Sequence, residues 1–236
     1  MNPQDEAKNL MALVQNMTVE WKPLGEVGFI YGGLTGKNKH DFIDGNSLYI
    51  PYKNIFDNLE VDINNLGTVK VDPNEKQYKV EYGDILFTVS SETANEAGMS
   101  SAVTSLPNKK VYLNSFSFGL RLNKDIKIIP EFAKYLFRSQ FIRKDIIKTA
   151  SGVTRFNISK EKFKKILIPI PPLEIQQKIV KILDKFTELE ATLEAELQLR
   201  KQQYNYYRDY LLTFDESGKQ SLTDRQTDRQ TDRQTD

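Results

Sequence analysis

The sequence predicts an α+β fold: a globular domain followed by a long C-terminal α-helix of the kind that forms coiled coils. Residues 1–172 hold short apolar runs closed by Gly- and Asp-Gly-type turns, as strands are, before a segment of helical period. Residues 173–214 carry apolar or aromatic side chains on a heptad stripe, with no Pro or Gly. The 236 residues are 39% hydrophobic and 28% charged, the composition of a chain that builds a core.

The elements follow in order. Leu10, Leu13, Val14 and Met17 fall on one face of a short opening helix. Val27–Tyr31 stops at Gly32-Gly33, Ser47–Pro51 follows Asp44-Gly45-Asn46, and Asp84–Ser90 follows Gly83. Val111–Leu122 alternates as one strand, with Phe116, Phe118 and Leu120 on one side. Glu131–Ile147 returns to a helical period through Phe132, Tyr135, Leu136, Ile142 and Ile146. Ile166–Ile170 closes the domain at Pro171-Pro172, and mostly strands followed by helix is an α+β order.

The second zone has the strongest pattern. Ile175, Ile179, Ile182, Phe186, Leu189 and Leu193 alternate steps of four and three, and Leu197 adds a second four, as a stutter does. Arg200 fills the next seam position, and Tyr204, Tyr207, Leu211 and Phe214 continue the stripe. About forty residues at ~1.5 Å each span roughly 60 Å. A compact domain of ~170 residues is roughly 40 Å across, so this helix cannot lie wholly on its own domain. Its stripe calls for a second helix.

Residues 215–236 form the third zone, a polar tail expected to be disordered. It repeats Thr-Asp-Arg-Gln three times from Thr223, then ends Thr-Asp. ACAG read three times encodes Thr-Asp-Arg-Gln, so a tetranucleotide DNA repeat is expected beneath the tail. Gain or loss of one unit would shift the frame, a route to phase variation. Sequencing the gene checks this, and mixed synonymous codons across the tract would remove it.

Composition narrows the chemistry. Net charge is +1, so a nucleic-acid signal must be local. Cys is 0 and His40 is the single histidine, which excludes disulfides, thiolate sites, a cysteine nucleophile and a histidine cluster. No run approaches ~18 apolar residues, and acids occupy the N-terminus where a signal peptide needs bases, so a cytoplasmic location without membrane contact is expected. Neither G-x-G-x-x-G nor the phosphate-binding G-x-x-x-x-G-K-[ST] occurs. Ile170-Pro171-Pro172-Leu173 lacks the Asn or Asp before the prolines, and the aromatic after them, that an amino-methyltransferase would want. Asp84, at a strand entrance, reads as turn chemistry. A non-catalytic chain is the expectation.

Local charge points elsewhere. Between Lys134 and Lys165 ten basic residues stand against Asp145 and Glu161. Lys134, Arg138 and Lys148 share a helix face, with Arg143 and Lys144 nearby, and such density fits phosphate contacts. Ser151–Ser159 combines Gly152 with Thr154, Arg155, Phe156 and Asn157, groups suited to phosphates and base edges, while Ser159 reads as a helix N-cap. The loops Tyr31–His40 and Ser90–Gly98 share that small-plus-polar style. Candidate nucleic-acid contacts are Lys37, Lys39, Ser91, Thr93, Lys109, Lys110, Arg138, Arg143, Lys144, Thr154, Arg155 and Asn157. Candidate seam contacts are Ile175, Ile179, Ile182, Phe186, Leu189, Leu193, Leu197, Tyr204, Tyr207 and Leu211.

The run from Ser151 to Ser159, then Lys165-Ile166-Leu167-Ile168-Pro169-Ile170-Pro171-Pro172-Leu173-Glu174-Ile175-Gln176-Gln177, resembles the specificity subunit of type I restriction–modification systems. So do Leu197–Leu212, Val19–Val27 and Gly83–Phe87, and the likeness covers about residues 10–214. The resemblance implies two target-recognition domains, each followed by a long helix, with the helices antiparallel as a spacer. Each domain would read half of a split double-stranded DNA site. The helices would dock modification subunits that bind S-adenosylmethionine and methylate adenine, and restriction subunits using ATP and Mg would join them. This chain would hold no cofactor. It has one domain and one helix, so it looks like a half-length form, expected to pair with a second copy or a second half-subunit. Glu188–Leu197 resembles the short spacer repeats of some members. The alternative reading is a coiled-coil adaptor that binds only protein. A hydrolase using Asp84 and Glu92 has little behind it.

Overall fold

The computed structural model describes residues 3–15 and 17–214, so the Thr-Asp-Arg-Gln tail lies outside the described residues. Two compact units divide the chain, Met1–Asp184 and Lys185–Asp236. In order, the elements are α1 (Pro3–Gln15), β1 (Glu20–Pro23), α2 (Leu24–Val27), β2 (Gly28–Gly32), β3 (Ser47–Ile50), α3 (Tyr52–Asp57), β4 (Gly67–Val69), β5 (Ile85–Thr88), β6 (Ser90–Ser91) and β7 (Ser100–Ala102). Then come β8 (Val111–Leu113), β9 (Ser117–Leu122), α4 (Pro130–Leu136), α5 (Gln140–Lys148), β10 (Ala150–Ser151), β11 (Phe156–Ile158), α6 (Lys160–Phe163), β12 (Leu167–Ile170) and α7 (Leu173–Leu212). The α+β class and the long C-terminal helix are as expected.

An antiparallel sheet in the order β2-β9-β5-β7 runs through the first unit. Strand β5 is buried on both faces, and its alternation feeds two cores. Ile85 and Phe87 join the larger cluster, where the Phe87 ring stands 5.2 Å from Phe118 and 4.9 Å from Phe163. Leu86 joins the other with Ile50, Ile55, Val103 and Leu113. A sheet β4-β3-β8 backs that second cluster, with β3 and β8 parallel. Between β2 and β9, a Cβ on Gly119 would come within 2.2 Å of the Tyr31 ring, so only glycine lets that ring lie across the strand.

Two expected elements are each split by a side-chain hydrogen bond. Val111–Leu122 is β8 and β9, because Asn114 accepts from the Phe116 amide (2.9 Å) and donates to the Ile50 carbonyl (3.0 Å), folding the backbone into a turn. Phe116 is therefore turned outward, 58% exposed, while Phe118 and Leu120 are buried. Glu131–Ile147 is α4 and α5, because Ser139 leaves the helical region and accepts from the Ile142 amide as an N-cap. Ser159 caps α6 in the same way, as the sequence suggested.

Two devices close the first unit. β1 pairs antiparallel with β12, setting Glu20 opposite Ile170 and Pro23 opposite Leu167. Gln176, fully buried, donates to the Lys127 carbonyl (2.7 Å) and the Pro171 carbonyl (2.8 Å) and accepts from the Ile129 amide (3.0 Å). The glutamine after Pro171-Pro172 thereby fixes the first turn of α7. Ile175 and Ile182 are buried and Ile179 packs on the larger cluster, which corrects the expected seam: its first three positions belong to this unit's own core.

In the second unit, Phe186, Leu189, Leu193, Leu197, Tyr204, Tyr207 and Leu211 are exposed on the helix. Glu188, Glu190, Glu194 and Glu196 fill its first half, and Arg200, Lys201 and Arg208 its second. Among the described residues no helix is long and apolar enough to cross a membrane.

Candidate nucleic-acid interface

Two of the three polar loops meet. The sheet β10-β11-β6 pairs Phe156 with Ser91 and Asn157 with Ser90, bringing the 90–98 loop against the 151–159 loop. Between this edge and α3 lies a cleft of about 490 Å³ lined by Tyr52, Lys53, Phe116, Ser91, Glu92 and Arg155, among others. Tyr52 stacks on Phe56 at 5.9 Å and donates to the Ser90 carbonyl (2.7 Å), bracing the cleft wall. Burial pushes the Tyr52 phenol up, so it remains a donor at neutral pH.

The Arg155 loop depends on Gly152, whose φ of 147° puts a Cβ within 1.9 Å of the Arg155 carbonyl oxygen. Thr154 and Arg155 are exposed, and the Arg155 guanidinium makes no hydrogen bond or ion pair among the described residues. Asn157 is exposed, and among the described residues its side-chain amide reaches only the Arg155 carbonyl, at 3.4 Å. Ser91 is buried and its hydroxyl donates to the Thr93 carbonyl, while the Thr93 hydroxyl donates to Glu96 (2.8 Å). Both hydroxyls are thus engaged in shaping the loop.

Three expected cations face inward, which corrects the reading of an exposed basic helix face. Arg138 donates to the carbonyls of Ile55 (2.9 Å), Phe56 (2.8 Å), Asn58 (3.1 Å) and Ser100 (2.6 Å), closing the C-terminus of α3, where free carbonyls collect. Arg143 donates to the carbonyls of Gly98 (2.6 Å) and Asn95 (2.7 Å) and holds the turn after β6. Burial lowers both guanidinium pKa values, Arg138 to about 10, which leaves Arg138 a cation at neutral pH. Lys134 pairs with Asp184 at 3.0 Å. Lys144 alone of the Arg138, Arg143 and Lys144 trio is exposed.

The third loop stands apart from the cleft lining. Lys37 is bonded to Glu75 at 2.6 Å with its side chain 7% exposed, so it is a structural cation. Hydrogen bonds from Lys37, the Asp72 amide and Gln77 hold the Glu75 carboxyl down at about 2. Lys39 is exposed in a short 3₁₀ turn capped by Asn38. Lys109 and Lys110, with Lys79, line a separate cleft of about 460 Å³.

Asp84 is buried and fully engaged. It is 1% exposed, accepts from Tyr31 (2.6 Å) and the Glu81 amide (2.8 Å), and takes both Arg121 Nε (2.8 Å) and a terminal nitrogen (2.7 Å). Burial and the carboxylate push the Tyr31 phenol far up, and the hydrogen bond to Asp84 raises Arg121. The Gly83-Asp84 pair is therefore a buried ionic knot as well as a turn.

Lys53 and Tyr52 are absent from the sequence expectations, and Phe116, expected beside Phe118 and Leu120 on a strand, lines the cleft instead. Lys53 and Tyr52 sit directly after Pro51, and that helix-start signal could have placed both at the mouth of a short helix. Trp21 and Phe141 form an exposed ring pair 5.7 Å apart, a second omission that no local pattern reveals.

Comparison with known proteins gives a consistent result. Residues 17–199 match the family described as type I restriction modification DNA specificity domain. The chain is 30% identical over 230 residues to the type I restriction enzyme EcoprrI specificity subunit of Escherichia coli, covering 89% of this chain and 54% of that one. It is 59% identical over 64 residues to the EcoR124I/EcoR124II specificity subunit of the same species, covering 25% of this chain and 16% of the other. The crystal structure of the HsdS subunit from Thermoanaerobacter tengcongensis shares the fold, with TM-score 0.53 and 20% identity over 82% of this chain and 46% of that chain. The chain spans about half the length of the curated relatives that it matches along most of its own residues.

Proposed function

The chain belongs to the type I restriction–modification DNA specificity family, and from that premise we propose that it is a non-catalytic recognition subunit that binds one half of a bipartite double-stranded DNA site. The observation that carries this reading is the joining of two sequence-distant polar loops at one cleft, with the Arg155 guanidinium internally unengaged. Arg155 and Lys53 on the cleft lining supply phosphate contacts there, Thr154 and Asn157 stand on the Arg155 loop, and Lys144 is an exposed cation on α5. Lys39, and Lys109 and Lys110 at their separate cleft, are further exposed cations for phosphates outside this cleft.

Two copies, or two half-subunits, pair through the second unit and dock modification subunits that carry S-adenosylmethionine. Restriction subunits with ATP and Mg complete the assembly. The exposed stripe supports pairing, and the charge order supports an antiparallel one: the half rich in glutamate, Glu188 to Glu196, runs beside the half of the other helix where Arg200, Lys201 and Arg208 outnumber Asp209. A pair centred between Gln198 and Leu199 brings Phe186 level with Leu211, Leu193 with Tyr204, and Glu196 with Lys201 of the second copy. A parallel pair would align like with like.

The test assembles the chain with modification subunits and maps methylated bases on genomic DNA. A two-part motif with inverted-repeat halves is the expected result. Methylation without a motif, or none at any salt concentration that preserves the complex, would leave the protein-only adaptor as the better reading.

A further inference from the structure

We propose that the cleft between α3 and the β6–β11 edge reads a base bearing an exocyclic amine, cytosine or adenine, and that Glu92 is the acceptor. This rests on the DNA-recognition reading above and names what that site takes. The charged lining is mixed: Lys53 and Arg155 stand with Asp57, Glu92 and Glu96. Three carboxylates make a poor lining for phosphates, because each repels the backbone oxygens. They fit a cleft that looks past the phosphates to base edges. In the major groove the base-edge donors are N4 of cytosine and N6 of adenine, and a glutamate or aspartate is the side chain that accepts from the former.

Glu92 is best placed among the three. Glu96 already holds the Thr93 hydroxyl at 2.8 Å. Asp57 lies near enough to the inward-facing Arg138 guanidinium for its charge to favour that cation. Glu92 is exposed and has no hydrogen bond or ion pair among the described residues. The backbone beside it is nevertheless fixed, because Ser91 is paired with Phe156 and its hydroxyl is bonded to the Thr93 carbonyl. A free carboxylate on a held backbone is a preorganised acceptor. Arg155 and Lys53 on the same lining take the flanking phosphates, and Phe116 gives an apolar wall for a base edge.

The experiment uses the full chain assembled with its modification subunits and a DNA library randomised over the half-site, with bound and methylated molecules sequenced. Glu92→Ala is expected to lose roughly five- to hundredfold discrimination at one position, where the wild type selects an amine base, and to leave the others unchanged. Glu92→Lys replaces an acceptor by a donor and is expected to move that position to a keto base, guanine or thymine. Replacing the selected base by its analogue without the amine, pyrimidin-2-one for cytosine or purine for adenine, should cost the wild type the same factor and Glu92→Ala nothing further; this arm also tells the two bases apart. A selective wild type whose Glu92 variants keep its preference, or weaken all sequences equally, overturns the assignment alone. A wild type with no preference at any position overturns the DNA-recognition reading and this assignment together.

Discussion

Charge type is legible in a sequence at the level of the residue; the direction in which a charge points is not. Arg138 and Arg143 belong to a dense basic run, yet what turns them inward is a set of carbonyls from residues 55 to 100 that no local pattern announces. Arg138→Met should therefore destabilise the first unit by about 2 kcal/mol or more, since buried carbonyls lose their donor. Urea unfolding measures that loss. Arg155→Ala should leave the urea midpoint in place and lower the slope of log affinity against log salt by about one. The Asp84 knot behaves like Arg138: Asp84→Ala strands Arg121 and the Tyr31 hydroxyl and should cost about 3–5 kcal/mol. Glu75 gives a pH signature. Its carboxyl is held at about 2, below its ordinary 4.5, so its stabilising contribution is complete above pH 4.5 and is lost as pH falls toward 2. Glu75→Gln should flatten the urea midpoint's dependence on pH within that window.

Elements were legible where periodicity was long and ambiguous where one side chain broke it. The heptad stripe exposed the whole of α7, whereas Asn114 and Ser139 each cut an expected element in two. Nor does periodicity tell which partner a stripe meets: Ile175, Ile179 and Ile182 lie on the same register as Leu193, but Gln176 pins that first stretch to its own domain. Leu193→Asp with Leu197→Asp should abolish self-association in sedimentation, with the urea midpoint of the first unit unchanged, because both side chains are exposed on the second unit. An insertion of four residues within Glu188–Leu197 lengthens a helix by ~6 Å. The methylation motif should then keep its half-site sequence and gain spacing. A changed half-site with the old spacing would contradict the spacer role.

For the molecule as a whole, family and fold class were readable because the Pro-Pro-Leu-Glu-x-Gln-Gln run carries a structural task, the buried Gln176 clamp. The candidate interface was only partly readable. Its loops advertise themselves by composition, but their meeting at one cleft depends on pairing between residues 90 and 157, which contact over a separation that sequence period does not encode. The pairing of β1 with β12 extends that point. Everything between Pro23 and Leu167 leaves and returns through one narrow doorway. A genetic exchange with its crossovers at that doorway would swap the candidate interface as a cassette, and the rod beyond it would keep its seat wherever the incoming segment still offers Gln176 the backbone groups at 127 and 129.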